Sequence, residues 1–145
     1  MDALLRLGIN TLPPSVNNMY RTGRAGQRYK KPEVLEWQED IAEFMREDWK
    51  EKDTYTGEIL VQVLFVVPNR RRWDVDNRLK ALLDCLQIAG VIKDDSQIAG
   101  ITAERRRGDA VKTLIAVLEY NGAMELYKAS WDFLIAWGRE EIHEE

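Results

Sequence analysis

Between Asn69 and Gln97 the chain reads NRRRWDVDNRLKALLDCLQIAGVIKDDSQ. Three arginines, Arg70, Arg71 and Arg72, precede Asp74, Asp76 and Asn77. Lys80 and Asp84 follow at helical spacing, and Asp94 and Asp95 come after a turn at Gly90. Carboxylates that converge from two ends of one helix suit a divalent metal, because hard cations take oxygen ligands. An arginine run beside them suits a polyanionic substrate. A metal next to a phosphate-gripping patch is the arrangement used for phosphodiester hydrolysis.

Each residue also has a plainer reading. Asp74 or Asp76 could cap the helix, since aspartate is a favoured N-cap, but that accounts for only one of them. Asp94 and Asp95 could be turn residues. Lys80, four residues after Asp76, could be one half of an ordinary i, i+4 salt bridge. A helix over 76–89 is roughly 20 Å long, so its two ends do not meet by themselves. Asp95 joins Asp74 and Asp76 only if the chain turns back at Gly90–Lys93.

The elements that must position these residues are legible in the hydrophobic pattern. Residues 3–12, ALLRLGINTL, read as a strand closed by Pro13-Pro14. The following PSVNNMYRTGRAGQRYKK has no period and reads as a mobile loop. In it Tyr20 and Tyr29 alternate with Arg21, Arg24, Arg28, Lys30 and Lys31, a mixture that can hold nucleic acid, the bases on phosphate and the rings on nucleobases. Pro32 suits the first position of a helix in which Val34, Trp37, Ile41, Phe44 and Met45 recur at helical spacing, which makes them core residues. Its other face is acidic and is expected to point away from DNA. EILVQVLFVVP, from Glu58 to Pro68, reads as a strand at a sheet centre. The helix over 76–89 should bury Leu79, Leu82, Leu83 and Leu86, with Asp76, Lys80 and Asp84 on one flank. Residues 96–107 and 110–120 read as a hairpin around Gly108-Asp109, with Arg105, Arg106 and Arg107 at its tip as a third basic spot. Residues 123–140 resume a helical pattern with Leu126, Trp131, Leu134, Ile135 and Trp137. The order is β-α-β-α-β-β-α, which predicts a single α/β domain of the α+β type, a mixed sheet with helices packed on it.

With 145 residues the chain is long enough for one ordinary core, and 45% apolar residues favour folding. It shows no apolar run of about 20 residues for a membrane span and no secretory signal pattern, so a cytoplasmic protein is expected. Cys85 is the only cysteine, which excludes an internal disulfide and cysteine-based metal sites. The net charge is −4, yet the bases are gathered in blocks: residues 3–32 hold six bases and no acid. Such blocks can give an acidic protein a basic face, although any one of them could be a solvated surface.

The strings LPPSVNNMYR, DVDNRLKALLD and GVIKDDSQ stand in an order and spacing that resemble the RusA family of Holliday junction resolvases, over approximately residues 9–120. The resemblance divides the chain into a nuclease domain at 1–120 and a C-terminal helical extension of the same domain at 121–145. It implies a homodimeric, magnesium-dependent endonuclease, with Mn²⁺ as a substitute, that cuts two opposed strands of a four-way DNA junction. It also implies that Asp74, Asp76 and Asp95 are the essential acids and metal ligands and Lys80 the essential base. Asn77, Asp84 and Asp94 match with supporting roles, and Arg70–Arg72 match a basic stretch before the D-x-D. RusA-like genes are familiar in prophage settings, which allows for a phage-derived origin.

Two rivals come from other readings of the same residues. A non-catalytic DNA-binding protein would use the acids only as caps and salt bridges. A less selective metal nuclease would also cut flaps, duplexes or RNA. What residues 121–145 add, as core cover, dimer clamp or partner dock, is open at this level.

Overall fold

The computed structural model describes residues 3–49, 53–68 and 74–138. Along the chain lie β1 (Leu5–Ile9), β2 (Tyr20–Thr22), β3 (Arg28–Lys30), α1 (Pro32–Asp48), β4 (Ile59–Val67), α2 (Asp76–Ile88), β5 (Ile98–Arg107), β6 (Lys112–Glu119) and α3 (Met124–Gly138). The longer elements follow the expected β-α-β-α-β-β-α order, and the class is mixed α/β. The described residues fall into two compact units, each built from separate stretches of chain.

The first unit takes in residues 1–12, 55–72 and 96–145 and contains a four-stranded sheet in the order β1-β6-β4-β5. β6 runs antiparallel to both β1 and β4, whereas β5 runs parallel to β4. The sheet is therefore mixed. All nine residues of β4 are buried, as its near-continuous apolar run requires of a central strand. β5 and β6 do not form the expected hairpin, because β4 lies between them. A strand this apolar needs a partner on each edge, and the turn after Arg107 carries the chain past the end of β4, where the Gly108 N–H donates to the Val67 carbonyl at 3.0 Å. Alternate residues of two strands, Leu60, Leu64 and Val66 with Leu114, Ala116 and Leu118, form one buried face, and α3 covers it with Tyr127 and Leu134. Gln62, buried in that face, donates from Nε2 to the Tyr127 carbonyl at 2.8 Å. Within this unit α3 is thus a core cover. Trp137, the last of the apolar residues in that helical pattern, is 37% exposed.

The second unit takes in residues 13–54 and 73–95. The expected loop over its first part contains a 3-10 turn (Val16–Asn18) and the short antiparallel hairpin β2–β3. Gly26, at φ +84°, supplies the left-handed turn between them. α1 starts at Pro32 as expected, but its buried face is Val34, Gln38, Ile41, Ala42 and Met45. Trp37 is half-buried and packs on the core of Met19, Val34 and Ala81, whereas Phe44 is 48% exposed and is not the core residue that spacing alone suggested. The stripe has turned toward Gln38, whose amide finds partners inside. α2 is turned in the same way: Ala81, Leu82, Cys85 and Leu86 are buried, and Leu79 and Leu83 are half-buried.

Candidate active site

α2 begins without a side-chain cap. Val75 occupies the N-cap position with helical dihedrals, so neither Asp74 nor Asp76 does the work that would explain it most simply. Asp74 is exposed and accepts a hydrogen bond from the Asn77 amide at 3.2 Å. Asp76 is exposed in the first turn, where the positive end of the helix dipole favours a carboxylate. Arg78 points elsewhere, donating from Nη1 to the Pro13 carbonyl at 2.9 Å.

One turn further along, Lys80 and Asp84 form an i, i+4 pair at 3.5 Å. Asp84 has a second partner. Lys30 at the end of β3 approaches its other oxygen at 3.3 Å and also donates to Gln38 Oε1 at 2.9 Å. Gln38 in turn donates from Nε2 to the Ala81 carbonyl at 3.0 Å. One carboxylate on α2 is therefore shared between a half-buried lysine from the hairpin and an exposed lysine on its own helix.

At its far end α2 is closed by Gly90 at φ +81°, and the N–H groups of Val91 and Ile92 donate back to the Leu86 carbonyl at 3.0 and 3.3 Å. Val91 and Ile92 are buried, which fixes the reversal, and Asp94 and Asp95 emerge exposed after it. The chain thus turns where the pattern required. It does not gather the acids: among the described residues no three His, Cys, Asp or Glu side chains stand close enough to hold a metal ion.

The basic residues divide by face. In β2–β3, Arg21 is opposite Tyr29, while Tyr20 is opposite Lys30 and Thr22 opposite Arg28. Tyr20 packs on the Met19–Val34–Ala81 core with the Arg28 guanidinium 4.5 Å above its ring. Arg21 and Tyr29 lie on the opposite face, and both are exposed. Arg24 is exposed in the turn and Lys31 is half-buried. Arg105, Arg106 and Arg107 are exposed at the end of β5, where Arg106 pairs with Glu104 at 3.2 Å. They sit beside Phe65–Val67 of β4 and not at a hairpin tip. Arg70, Arg71 and Arg72 lie outside the described residues.

Asp74, Asp76 and Asp95 are oxygen donors of the type a hard cation takes. Among the described residues Asp76 and Asp95 make no ion pair, in contrast to Asp84. The set fits a divalent cation in chemistry, with its three members standing apart in this structure. Beneath the flank, burial pushes the Cys85 thiol up to about 12, and the adjacent Asp84 carboxylate adds to the shift. Its Sγ lies 3.2 Å from the Ala81 carbonyl. Cys85 is a packing residue and not a nucleophile. The residues that spacing missed are Gln38 and the structural use of Lys30. A polar side chain in the apolar stripe of α1 was the available signal.

No helix among the described residues is long and apolar enough to cross a membrane. A family model described as Endodeoxyribonuclease RusA matches residues 11–118, which take in every element from β2 to the end of β6 apart from the last residue of that strand. The chain is 37% identical over 94 residues to a crossover junction endodeoxyribonuclease RusA of Aquifex aeolicus (strain VF5), covering 65% of this chain and 74% of that protein. It is 35% identical over 94 residues to a crossover junction endodeoxyribonuclease rusA of Enterobacteria phage HK97, covering 64% and 76%. α3 lies beyond the family match. The chain belongs to the RusA family of endodeoxyribonucleases, enzymes that hydrolyse phosphodiester bonds in DNA.

Proposed function

We propose that this protein is a magnesium-dependent Holliday junction resolvase, acting as a homodimer that makes paired, symmetric cuts in four-way DNA. The observation that carries this reading is the division of the acids on and around α2. Asp84 is neutralised by two lysines, whereas Asp76 and Asp95 are exposed and make no ion pair among the described residues. Both relatives are named as crossover junction endodeoxyribonucleases, which supports the substrate.

Asp74, Asp76 and Asp95 would hold Mg²⁺, with Mn²⁺ as a substitute. When bound, the ion supplies a Lewis acid at the scissile phosphate and lowers the pKa of water. Asn77 holds one oxygen of Asp74 and so orients that carboxylate. Lys80, 47% exposed, can leave Asp84 and place its ammonium against the negative charge that grows on the pentavalent phosphoryl group. Arg21, Arg24 and Arg28 on the hairpin, with Arg70–Arg72 and Arg105–Arg107, contact phosphates. That binding is salt-dependent and indifferent to sequence. A dimer follows from the paired incisions, since one site cannot reach two opposed strands at once.

The test is a nicking assay on a synthetic four-way junction and the matching linear duplex, with wild type and Asp76→Asn, in Mg²⁺ and in EDTA. Paired cuts in the junction alone, lost in the variant and in EDTA, are expected. The variant should bind the junction as well as wild type or better, because a negative charge near the phosphate is gone. An Asp76→Asn protein that cuts at the normal rate would remove the acidic trio from the mechanism. Equal cutting of the duplex would replace the resolvase by a less selective nuclease.

A further inference from the structure

We infer that Lys30 is a positioning residue for Lys80, acting through Asp84, and not a phosphate contact like the other bases of its hairpin. The inference rests on the reading of Lys80 as the ammonium that stabilises the reacting phosphate.

Lys30 differs from Arg21, Arg24 and Arg28 in where it lies. Those three are exposed, whereas the Lys30 side chain is 24% exposed and its ammonium is occupied by Gln38 at 2.9 Å and Asp84 at 3.3 Å. Gln38, only 1% exposed, is itself fixed by the Ala81 carbonyl one residue after Lys80. Lys30 is thus held from two sides by groups that belong to the same turn of α2 or bond to it. The carboxylate it meets is the one that meets Lys80: Oδ2 takes Lys30 and Oδ1 takes Lys80.

Sharing has an electrostatic consequence. A carboxylate facing one lysine holds it with its whole charge. A carboxylate already paired with a second, less exposed lysine holds the first more weakly. Lys80, paired with Asp84 here, must be released when a phosphate arrives, and Lys30 supplies the charge that allows release. Without Lys30, Asp84 would turn its full charge on Lys80 and keep it along the helix. The loss would appear in the chemical step and not in junction binding.

The experiment is a double-mutant cycle on Lys30→Met and Asp84→Asn, read by single-turnover cleavage of a four-way junction in Mg²⁺ and by junction binding in EDTA over a range of salt. Lys30→Met is expected to slow cleavage about tenfold with an unchanged salt slope, a coupling of the size found between contacting groups. Adding Asp84→Asn should recover more than half of the lost rate, because the carboxylate that traps Lys80 has lost its charge. Lys30→Arg, which keeps the charge, should cut near the wild-type rate. Lys30→Gln, which keeps a polar partner for Gln38 but no charge, should also slow cleavage about tenfold and carries the test if the methionine variant folds poorly. A double variant no faster than Lys30→Met would show a merely structural link and overturn the proposal. So would a Lys30→Met protein that cuts normally at saturation but loses about 0.9 from its salt slope, the mark of a phosphate contact. Lys80→Met is run alongside. If it cuts like wild type, the reading of Lys80 fails first. If it is inactive while Lys30→Met is unaffected, only the inference about Lys30 fails.

Discussion

The Asn77 amide donates to the Asp74 carboxylate at 3.2 Å, so the first turn of α2 fixes an acid that lies just before the helix. With Val75 as a bare N-cap, this bond is what orients Asp74. Asn77→Ala should slow junction cleavage by about tenfold, the equivalent of roughly 1.4 kcal/mol in the barrier. Asn77→Asp should slow it further, because it sets a like charge against Asp74. Both variants should unfold in urea within about 0.5 kcal/mol of wild type, as expected of an exposed site. Equal cleavage by all three proteins would show that Asp74 needs no such support.

Metal binding has a readout that needs no substrate. A cation held by Asp74, Asp76 and Asp95 binds the folded chain and not the unfolded one. It should stabilise the fold by about 2.7 kcal/mol at a hundred times its Kd. Thermal melts of wild type should therefore rise with Mg²⁺ and fall back on chelation. Asp76→Asn and Asp95→Asn should lose most of the rise, and Asp84→Asn should keep it, since two lysines already satisfy that carboxylate. A rise of the same size in Asp76→Asn would place the cation elsewhere.

Cys85 sets an alkaline limit on stability. Burial, with the Asp84 carboxylate beside it, raises its pKa from 9.0 to about 12 in the folded chain. Between those values the unfolded chain has released a proton that the folded chain retains. Stability from the neutral thiol is therefore complete below about pH 9 and is lost as pH rises toward 12. The slope in that window is at most about 1.4 kcal/mol per pH unit. Urea titrations of wild type and Cys85→Ala at pH 8 and pH 10.5 should show the gap between them shrinking at the higher pH. A constant gap would mean that the thiol titrates normally.

Much of this arrangement was legible in the sequence, and the failures share a cause. Strand β4, α1 from Pro32 and the reversal at Gly90 follow from local rules of apolar run, proline and glycine, and all three formed. The pairing of β5 and β6 was misread, because short separation favours a hairpin only when no third strand claims the edge. β4, buried along its whole length, claims both. Phe44 was misread as core, because periodicity fixes a face only to within a residue or so. The buried amide of Gln38 turned that face toward its partners. Lys30 was grouped with the phosphate-binding bases because its pairing with Asp84 joins positions 54 residues apart, which no local pattern can show. The acids were recognisable by type and order, but whether three of them gather depends on the three-dimensional course of the chain, which spacing does not encode.

The two faces of the β2–β3 hairpin should contribute differently to DNA binding. Arg21 and Tyr29 are cross-strand neighbours on the exposed face, whereas Arg28 lies over the Tyr20 ring. A phosphate neutralised by Arg21 releases about 0.9 of a counterion, so Arg21→Gln should lower the slope of log K against log salt by that amount. Arg28→Gln should lower it as well, and should also cost about 0.5–1 kcal/mol of stability, because the guanidinium leaves the ring. Tyr29→Ala should leave the slope alone and weaken junction binding by about 1–3 kcal/mol if an unpaired base stacks on the ring. Filter binding of a four-way junction from 50 to about 200 mM salt separates these effects. If Arg21→Gln and Tyr29→Ala both match wild type across that range, the exposed face of the hairpin does not meet DNA. Phosphate contacts would then fall to the arginines at 70–72 and 105–107.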